Sequence, residues 1–120
     1  MKITNPVAKL GEDLACKLLK SKGYKILERN FRKGYGELDI ITQLDNLLVF
    51  VEVKTRTVER FGTPFESITP WKLKSLIKTG IFYKSLHPNL PEALRMDAVS
   101  VILDKDNKLK NIEHIENISY

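Results

Sequence analysis

Hydrophobic residues recur at helical spacing in two segments of the chain. In the first segment they lie three or four positions apart, at Val7, Leu10, Leu14 and Leu18, which places them on one helix face. Each segment is preceded by a capping residue and a proline, Asn5-Pro6 and Thr69-Pro70, and Gly23 is typical of a helix end. The pattern predicts two helices, over residues 6–22 and 70–86.

Strand-forming residues fill the segments between and after these helices. They predict strands at about 24–31, 37–43, 47–55 and 95–103, and an edge strand from residue 109. The second helix connects the third and fourth strands, and such a crossover joins parallel neighbours. Short turns between the first three strands predict an antiparallel meander. We therefore expect one α/β domain over residues 1–120, with a mixed sheet flanked by helices.

The central hairpin, ELDIITQLDNLLVFVEVK over residues 37–54, carries carboxylates in apolar strands. A tight turn at Asp45-Asn46 predicts a register that sets Leu44 opposite Leu47 and Asp39 opposite Glu52. Side chains alternate along a strand, so one face is expected to carry Glu37, Asp39, Ile41, Phe50, Glu52 and Lys54. The other face is expected to carry Leu38, Ile40, Val49, Val51 and Val53.

Opposed carboxylates destabilise a sheet unless their charge is compensated. One explanation is a divalent cation, because Mg²⁺ binds one or two carboxylates together with waters and phosphate oxygens. The alternative is a half-buried salt-bridge network. In that network Lys54 would pair with Glu37 or Glu52, and Asp39 with Arg56.

Composition indicates the cellular compartment in which the domain works. Hydrophobic residues make up 42% and charged residues 29% of the chain, and no apolar run is long enough for a membrane span. The N-terminus lacks the apolar stretch of a signal peptide, and the single cysteine, Cys16, excludes an internal disulfide. We expect a cytoplasmic protein with no membrane association.

Positive charge is clustered around an acidic centre. The formal net charge is +5, and residues 1–36 hold nine Lys/Arg against three Asp/Glu. Residues 69–95 hold five against one, whereas residues 37–68 hold three against six. Basic clusters of this kind suit a polyanion such as nucleic acid. A solvated basic surface is the simpler alternative.

Several motifs together resemble known families. Asp39 followed by Glu52-Val53-Lys54 resembles the PD-(D/E)xK nuclease superfamily, although Leu38 stands where that motif has proline. The order of elements is similar to that superfamily's restriction-endonuclease-like αβββαβ core. More closely, the chain resembles the uncharacterised bacterial YraN family, itself similar to archaeal Holliday-junction resolvases. The segments that carry this resemblance are GEDLACKLL, GYKILERNFR, GELDII, LVFVEVKTR and RMDAVSVIL.

The resemblance implies a site and an activity. Asp39 and Glu52 would be ligands of Mg²⁺ or Mn²⁺, Lys54 the catalytic lysine, and Glu12 an acidic residue brought to the site by the first helix. The implied function is that of a metal-dependent DNA endonuclease, acting as a homodimer on branched or recombination-intermediate DNA. The alternative is a non-catalytic nucleic-acid-binding or DNA-processing accessory protein built on the same fold.

Further residues are expected to serve binding or packing. The expected nucleic-acid contacts are Tyr35, Arg56, Lys72, Lys74 and Lys78, although Lys74 and Lys78 also suit a plain solvated helix face. Aromatic residues that fit a dimer interface are Phe61, Phe65, Trp71 and Phe82. For Trp71 we expect a place in the core or an interface rather than stacking on a base. Asp97 is expected to form a structural ion pair with Arg95.

Overall fold

The computed structural model describes residues 5–33, 36–58 and 68–119. Its helices and strands, in chain order, are α1 (Pro6–Ser21), β1 (Lys25–Lys33), β2 (Gly36–Leu44), β3 (Leu47–Thr57), α2 (Pro70–Leu86), β4 (Ala93–Leu103) and β5 (Leu109–Ile115). Each predicted element is present, with ends within two residues of those expected from the sequence.

Both helices begin at the capping residues that the sequence indicates. The Asn5 side chain accepts a hydrogen bond from the Val7 N–H at 2.9 Å, and the Thr69 hydroxyl accepts one from the Lys72 N–H at 3.1 Å. These contacts satisfy N–H groups that have no partner within the first helical turn. Gly23, at a φ of 91°, turns the chain from α1 into β1.

The strands described form one mixed sheet in the order β1-β2-β3-β4-β5. The β1–β2, β2–β3 and β4–β5 pairs are antiparallel, and β3 and β4 are parallel across the α2 crossover. The mixed α/β fold and the meander are therefore confirmed, and the order of elements is compatible with the αβββαβ nuclease-like core.

Each face of the sheet is covered by one helix. On the α1 face the buried residues are Ala15, Cys16, Leu19, Tyr24, Ile40, Val49, Val51, Val99, Val101 and Leu103. On the α2 face they are Phe31, Leu38, Ile41, Leu48, Phe50, Leu76, Tyr83 and Met96. A sheet buried on both faces needs apolar side chains on both, which explains the nearly continuous apolar runs of β2 and β3.

A buried polar network ties the C-terminal segment to β4. Asp97 is fully buried and accepts a hydrogen bond from Arg95 Nε at 2.8 Å. Its other oxygen lies 2.7 Å from Nε2 of His114, and the Asn117 N–H donates to the carboxylate at 2.9 Å. Burial alone would raise the pKa of Asp97, but these hydrogen bonds outweigh burial and hold the pKa below its usual value. The expected Asp97–Arg95 ion pair is confirmed.

The aromatic residues expected at an interface have different positions. Trp71 is 80% exposed, which rules out the core, so an interface is the part of its expectation that stays a prediction. Phe82 is half-buried against the α2 face of the sheet, while Phe61 and Phe65 lie outside the described residues. No helix within the described ranges is long and apolar enough to cross a membrane.

Candidate functional site

Strands β2 and β3 part at Asp39. Their pairing runs from Leu44–Leu47 to Ile40–Val51, which is the register that the Asp45-Asn46 turn predicts. Past that point the Val53 N–H donates to a side-chain oxygen of Asp39 at 2.8 Å instead of continuing the ladder. The predicted Glu37–Lys54 pair lies beyond the ladder, and Glu37 contacts Arg32 of β1 at 3.2 Å.

The parting of the strands changes which face Leu38 occupies. Strict alternation predicts Leu38 on the same face as Ile40, but Leu38 packs with Ile41 on the α2 face. The prediction for Leu38 is therefore wrong. The physical reason lies in local backbone geometry: β2 has left β3 here, and Asn30 of the neighbouring β1 has a left-handed φ of 56°, so the regular pleat is interrupted.

A cavity of about 370 Å³ lies at this opening. It is lined by residues from both parting strands, from α1 with its capping residue and from the first turn of α2: Asn5, Val7, Ala8, Glu12, Glu37, Asp39, Glu52, Val53, Lys54, Thr55, Arg56 and Lys72. The cavity thus brings together six candidate site residues that are far apart in the sequence: Glu12, Asp39, Glu52, Lys54, Arg56 and Lys72.

The carboxyl groups of Asp39 and Glu52 interact directly in this cavity. Glu52 is 3% exposed. Burial and the adjacent charge of Glu52 raise the pKa of Asp39 to about 8, and a side-chain hydrogen bond with Glu52 adds to the rise, against the lowering effect of the Val53 N–H. At neutral pH the two carboxyl groups therefore share a proton, which reduces the repulsion between them.

Two lysines compensate the charge of Glu52. The ammonium groups of Lys54 and Lys72 lie 3.4 and 3.5 Å from the same oxygen, Oε2. Lys54 comes from β3 and is 20% exposed, whereas Lys72 comes from the first turn of α2 and is 43% exposed. Of the pairings considered for a salt-bridge network, the Lys54–Glu52 pair is therefore present.

Glu12 reaches the cavity because α1 packs closely on β3. Gly11 lies against Thr55, and a Cβ at residue 11 would overlap with the Thr55 hydroxyl. On the other side Arg29 of β1 lies 3.6 Å from Glu12 and 2.9 Å from Asp13. The charge of Glu12 contributes to the raised pKa of Asp39. The roles of Gly11, Thr55 and Arg29 were not predicted from the sequence, although a glycine inside a helix is a known sign of close packing.

Comparison with known proteins bears on this arrangement. Residues 11–101 match the model of the uncharacterised protein family UPF0102. The chain belongs to this family. A UPF0102 protein of Syntrophomonas wolfei is 49% identical over 107 residues, 89% of this chain and 91% of the relative. Another, of Chloroherpeton thalassium, is 42% identical over 112 residues, 93% of this chain and 87% of the relative. UPF0102 is the YraN family, so the resemblance seen in the sequence is confirmed.

The remaining expected contacts of this UPF0102 protein have different positions. Lys74 and Lys78 are exposed on α2 and are not among the residues that line the cavity. Arg56 lines the cavity, and its guanidinium donates to the Thr55 carbonyl at 3.1 Å. Tyr35 lies outside the described residues.

The UPF0102 site offers a pair of acidic ligands. Within residues 5–33, 36–58 and 68–119, no group of three or more His, Cys, Asp or Glu side chains is arranged to hold a metal ion. A structural zinc site needs such a group. Mg²⁺ does not, because waters and substrate phosphates complete its shell.

Proposed function

We propose that this UPF0102 protein is a Mg²⁺- or Mn²⁺-dependent endonuclease that hydrolyses phosphodiester bonds in branched or recombination-intermediate DNA. The observation that carries the proposal is the contact between the carboxyl groups of Asp39 and Glu52, beside Lys54, in an open cavity. Two buried acidic groups in contact destabilise a fold. Their presence is explained if the function of the site requires both.

The residues of the cavity suit a divalent cation. Asp39 and Glu52 supply oxygen ligands, and a bound cation would offset both burial and the charge of Glu52, the two effects that raise the pKa of Asp39. The cavity of about 370 Å³ has space for waters and a phosphate group. When bound, Mg²⁺ supplies neutralisation of phosphate charge and a water of lowered pKa.

The lysines of the site are suited to contact the substrate. Lys54 and Lys72 share one carboxylate oxygen of Glu52, so each ammonium retains donors for phosphate oxygens. A lysine so placed stabilises the charge that develops on those oxygens as the bond breaks. Glu12 lies at the α1 side of the cavity, held near Arg29. We expect it to accept a hydrogen bond from a water on that side.

One observation favours the alternative of a non-catalytic nucleic-acid-binding protein. Lys54 and Lys72 already compensate Glu52, and a proton on Asp39 removes the second charge. The cluster is thus neutralised without a metal. In that case the basic residues would bind phosphates while the carboxylates only organise the lysines.

A cleavage panel combined with calorimetry separates these functions. Linear, nicked, flapped and four-way-junction DNA, and RNA, are incubated with the protein in Mg²⁺, in Mn²⁺ and in EDTA. We expect cleavage of branched DNA only with metal, and weak Mg²⁺ binding that becomes tighter when DNA completes the shell. Asp39→Asn and Glu52→Gln should each lower the cleavage rate by about 100-fold or more and abolish the heat of Mg²⁺ binding.

The matched control is Asp106→Asn, because Asp106 is an exposed carboxylate in the turn between β4 and β5. This variant should cleave DNA and bind Mg²⁺ like the parent protein. Unchanged Mg²⁺ affinity in Asp39→Asn would refute the metal site. DNA binding without cleavage under every metal condition would favour the accessory protein.

A further inference from the structure

The outward side of α2 carries an exposed tryptophan and two lysines. Trp71 is 80% exposed, more than any other large hydrophobic residue described. Lys74 and Lys78 follow it by three and seven positions, so the three side chains share one side of the helix. The opposite side carries the buried residues Leu76, Thr79, Gly80 and Tyr83. Trp71, Lys74 and Lys78 are called the α2 stripe below.

The α2 stripe begins at the rim of the carboxylate cavity. Lys72, the residue next to Trp71, lines that cavity, with its ammonium group 3.5 Å from Glu52 Oε2. Neighbouring Cα atoms are about 3.8 Å apart. A chain bound in the cavity would therefore come within reach of Trp71 without any change in the fold.

The charge of α2 indicates the kind of partner. Residues 70–86 contain four lysines and no Asp or Glu, and Lys84, at the far end, pairs with Glu92 at 3.2 Å. A polyanion complements this surface. A second copy of the same stripe does not, because a two-fold contact would bring lysines against lysines.

We propose that the α2 stripe binds an unpaired nucleic-acid strand, with a base stacked on Trp71 and phosphates contacted by Lys74 and Lys78. An indole stacks on the open face of a base, and a continuous duplex hides that face within its own stack. The partner is thus a strand with unstacked bases, as found in a flap or at a junction. The position of this strand beside the cavity rests on the proposed function, whereas the stripe itself binds without metal or cleavage.

Fluorescence provides a direct test, because Trp71 is the only tryptophan of the chain. The full chain is titrated in EDTA with a single-stranded oligothymidylate and, separately, with a blunt DNA duplex. Stacking of thymine on the indole should quench the emission, and the single strand should quench more strongly than the duplex at equal occupancy. Asp39→Asn should be quenched like the parent protein.

Variants measured with labelled oligothymidylate by anisotropy complete the test. Trp71→Ala should weaken binding by about 5- to 100-fold, and Trp71→Phe should retain most of the affinity. Lys74→Gln with Lys78→Gln should reduce the slope of log affinity against log salt by about 0.7 for each phosphate that a lysine no longer neutralises. Leu109→Ala, at an exposed residue of β5, and Lys105→Gln, in the exposed β4–β5 turn, should change neither quantity.

The two proposals fail separately. Absence of quenching, or equal affinity of Trp71→Ala and parent for the single strand, would overturn the α2 stripe even if metal-dependent cleavage were found. Quenching without cleavage under any condition would leave the stripe supported and the nuclease refuted. Dissociation of a dimer in Trp71→Ala, with unchanged strand binding, would identify the stripe as a protein interface and overturn the proposal.

Discussion

The charge of Asp39 depends strongly on its surroundings. In an unfolded chain its carboxyl group would have a pKa near 3.8, whereas burial and Glu52 raise the pKa to about 8 in the folded protein. A raised acid pKa means that the contribution of Asp39 to stability is complete below pH 3.8 and is lost as the pH rises towards 8. Without metal, Asp39 therefore lowers the free energy of unfolding at neutral and alkaline pH.

Replacement of this carboxyl group by an amide should remove the penalty. Asn retains an oxygen that can accept the Val53 N–H, so we expect Asp39→Asn to raise the free energy of unfolding in EDTA. The gain should grow between about pH 4 and pH 8 to on the order of several kcal/mol, as one pKa unit corresponds to about 1.36 kcal/mol. Urea unfolding followed by circular dichroism at several pH values measures the difference.

The same series on Asp106→Asn provides the control, because that carboxylate is exposed in a turn. Its unfolding free energy should follow that of the parent protein at each pH. A constant offset for Asp39→Asn across the whole range would show that the proton of Asp39 does not account for the effect.

At the scale of elements, the position of α1 depends on Gly11, which has no side chain and therefore lets the helix approach Thr55 of β3 closely. A Cβ on Gly11 would overlap with the Thr55 hydroxyl and lie 2.9 Å from Thr55 Cβ. Because β3 is held between β2 and β4, relief requires α1 to move outward. Glu12, the next residue, would then move away from the cavity.

Gly11→Ala should therefore lower the free energy of unfolding by about 1–3 kcal/mol, although alanine is the better helix former. Adding Thr55→Ala should recover part of this loss, because it removes the nearest side-chain atom. Chemical denaturation measures both variants, with Lys17→Ala on the exposed side of α1 as the control. An unchanged or increased stability of Gly11→Ala would contradict the close packing of α1 on β3.

At the scale of the whole molecule, we expect two copies to act together. The described part of the chain offers one Asp39–Glu52 pair, and resolution of a two-fold-related junction requires two cuts, which a closed two-fold dimer would provide. Exposed apolar residues suited to such a contact are Ile81, 56% exposed, and Leu94, 39% exposed. They line a small apolar cleft beside Ile77 and Met96.

Light scattering across a concentration series, with and without four-way-junction DNA, tests this expectation. The parent protein should reach the mass of a dimer, at least on the junction. Ile81→Lys should shift the equilibrium towards the monomer, whereas Lys105→Gln should not. A monomer under both conditions would restrict the protein to single nicks or to a complex with another chain.

The sequence by itself determined the elements, their order and the register of the central hairpin. Helix starts were predicted because Asn5-Pro6 and Thr69-Pro70 act within one turn. The register was predicted because a tight turn sets the pairing of the strands that leave it, and the pairs from Leu44–Leu47 to Ile40–Val51 bear this out. These features depend on residues close together in the chain.

Only the tertiary structure decided where the alternation stops and what surrounds the carboxylates. Leu38 changed faces because β2 leaves β3 at Asp39, a separation that no short-range pattern in either strand indicates. Glu12 reaches the cavity through the contact of Gly11 with Thr55, and Trp71 is exposed because the buried side of α2 lies opposite it. Each depends on how helices pack on a finished sheet, which is determined by distances between residues far apart in the chain.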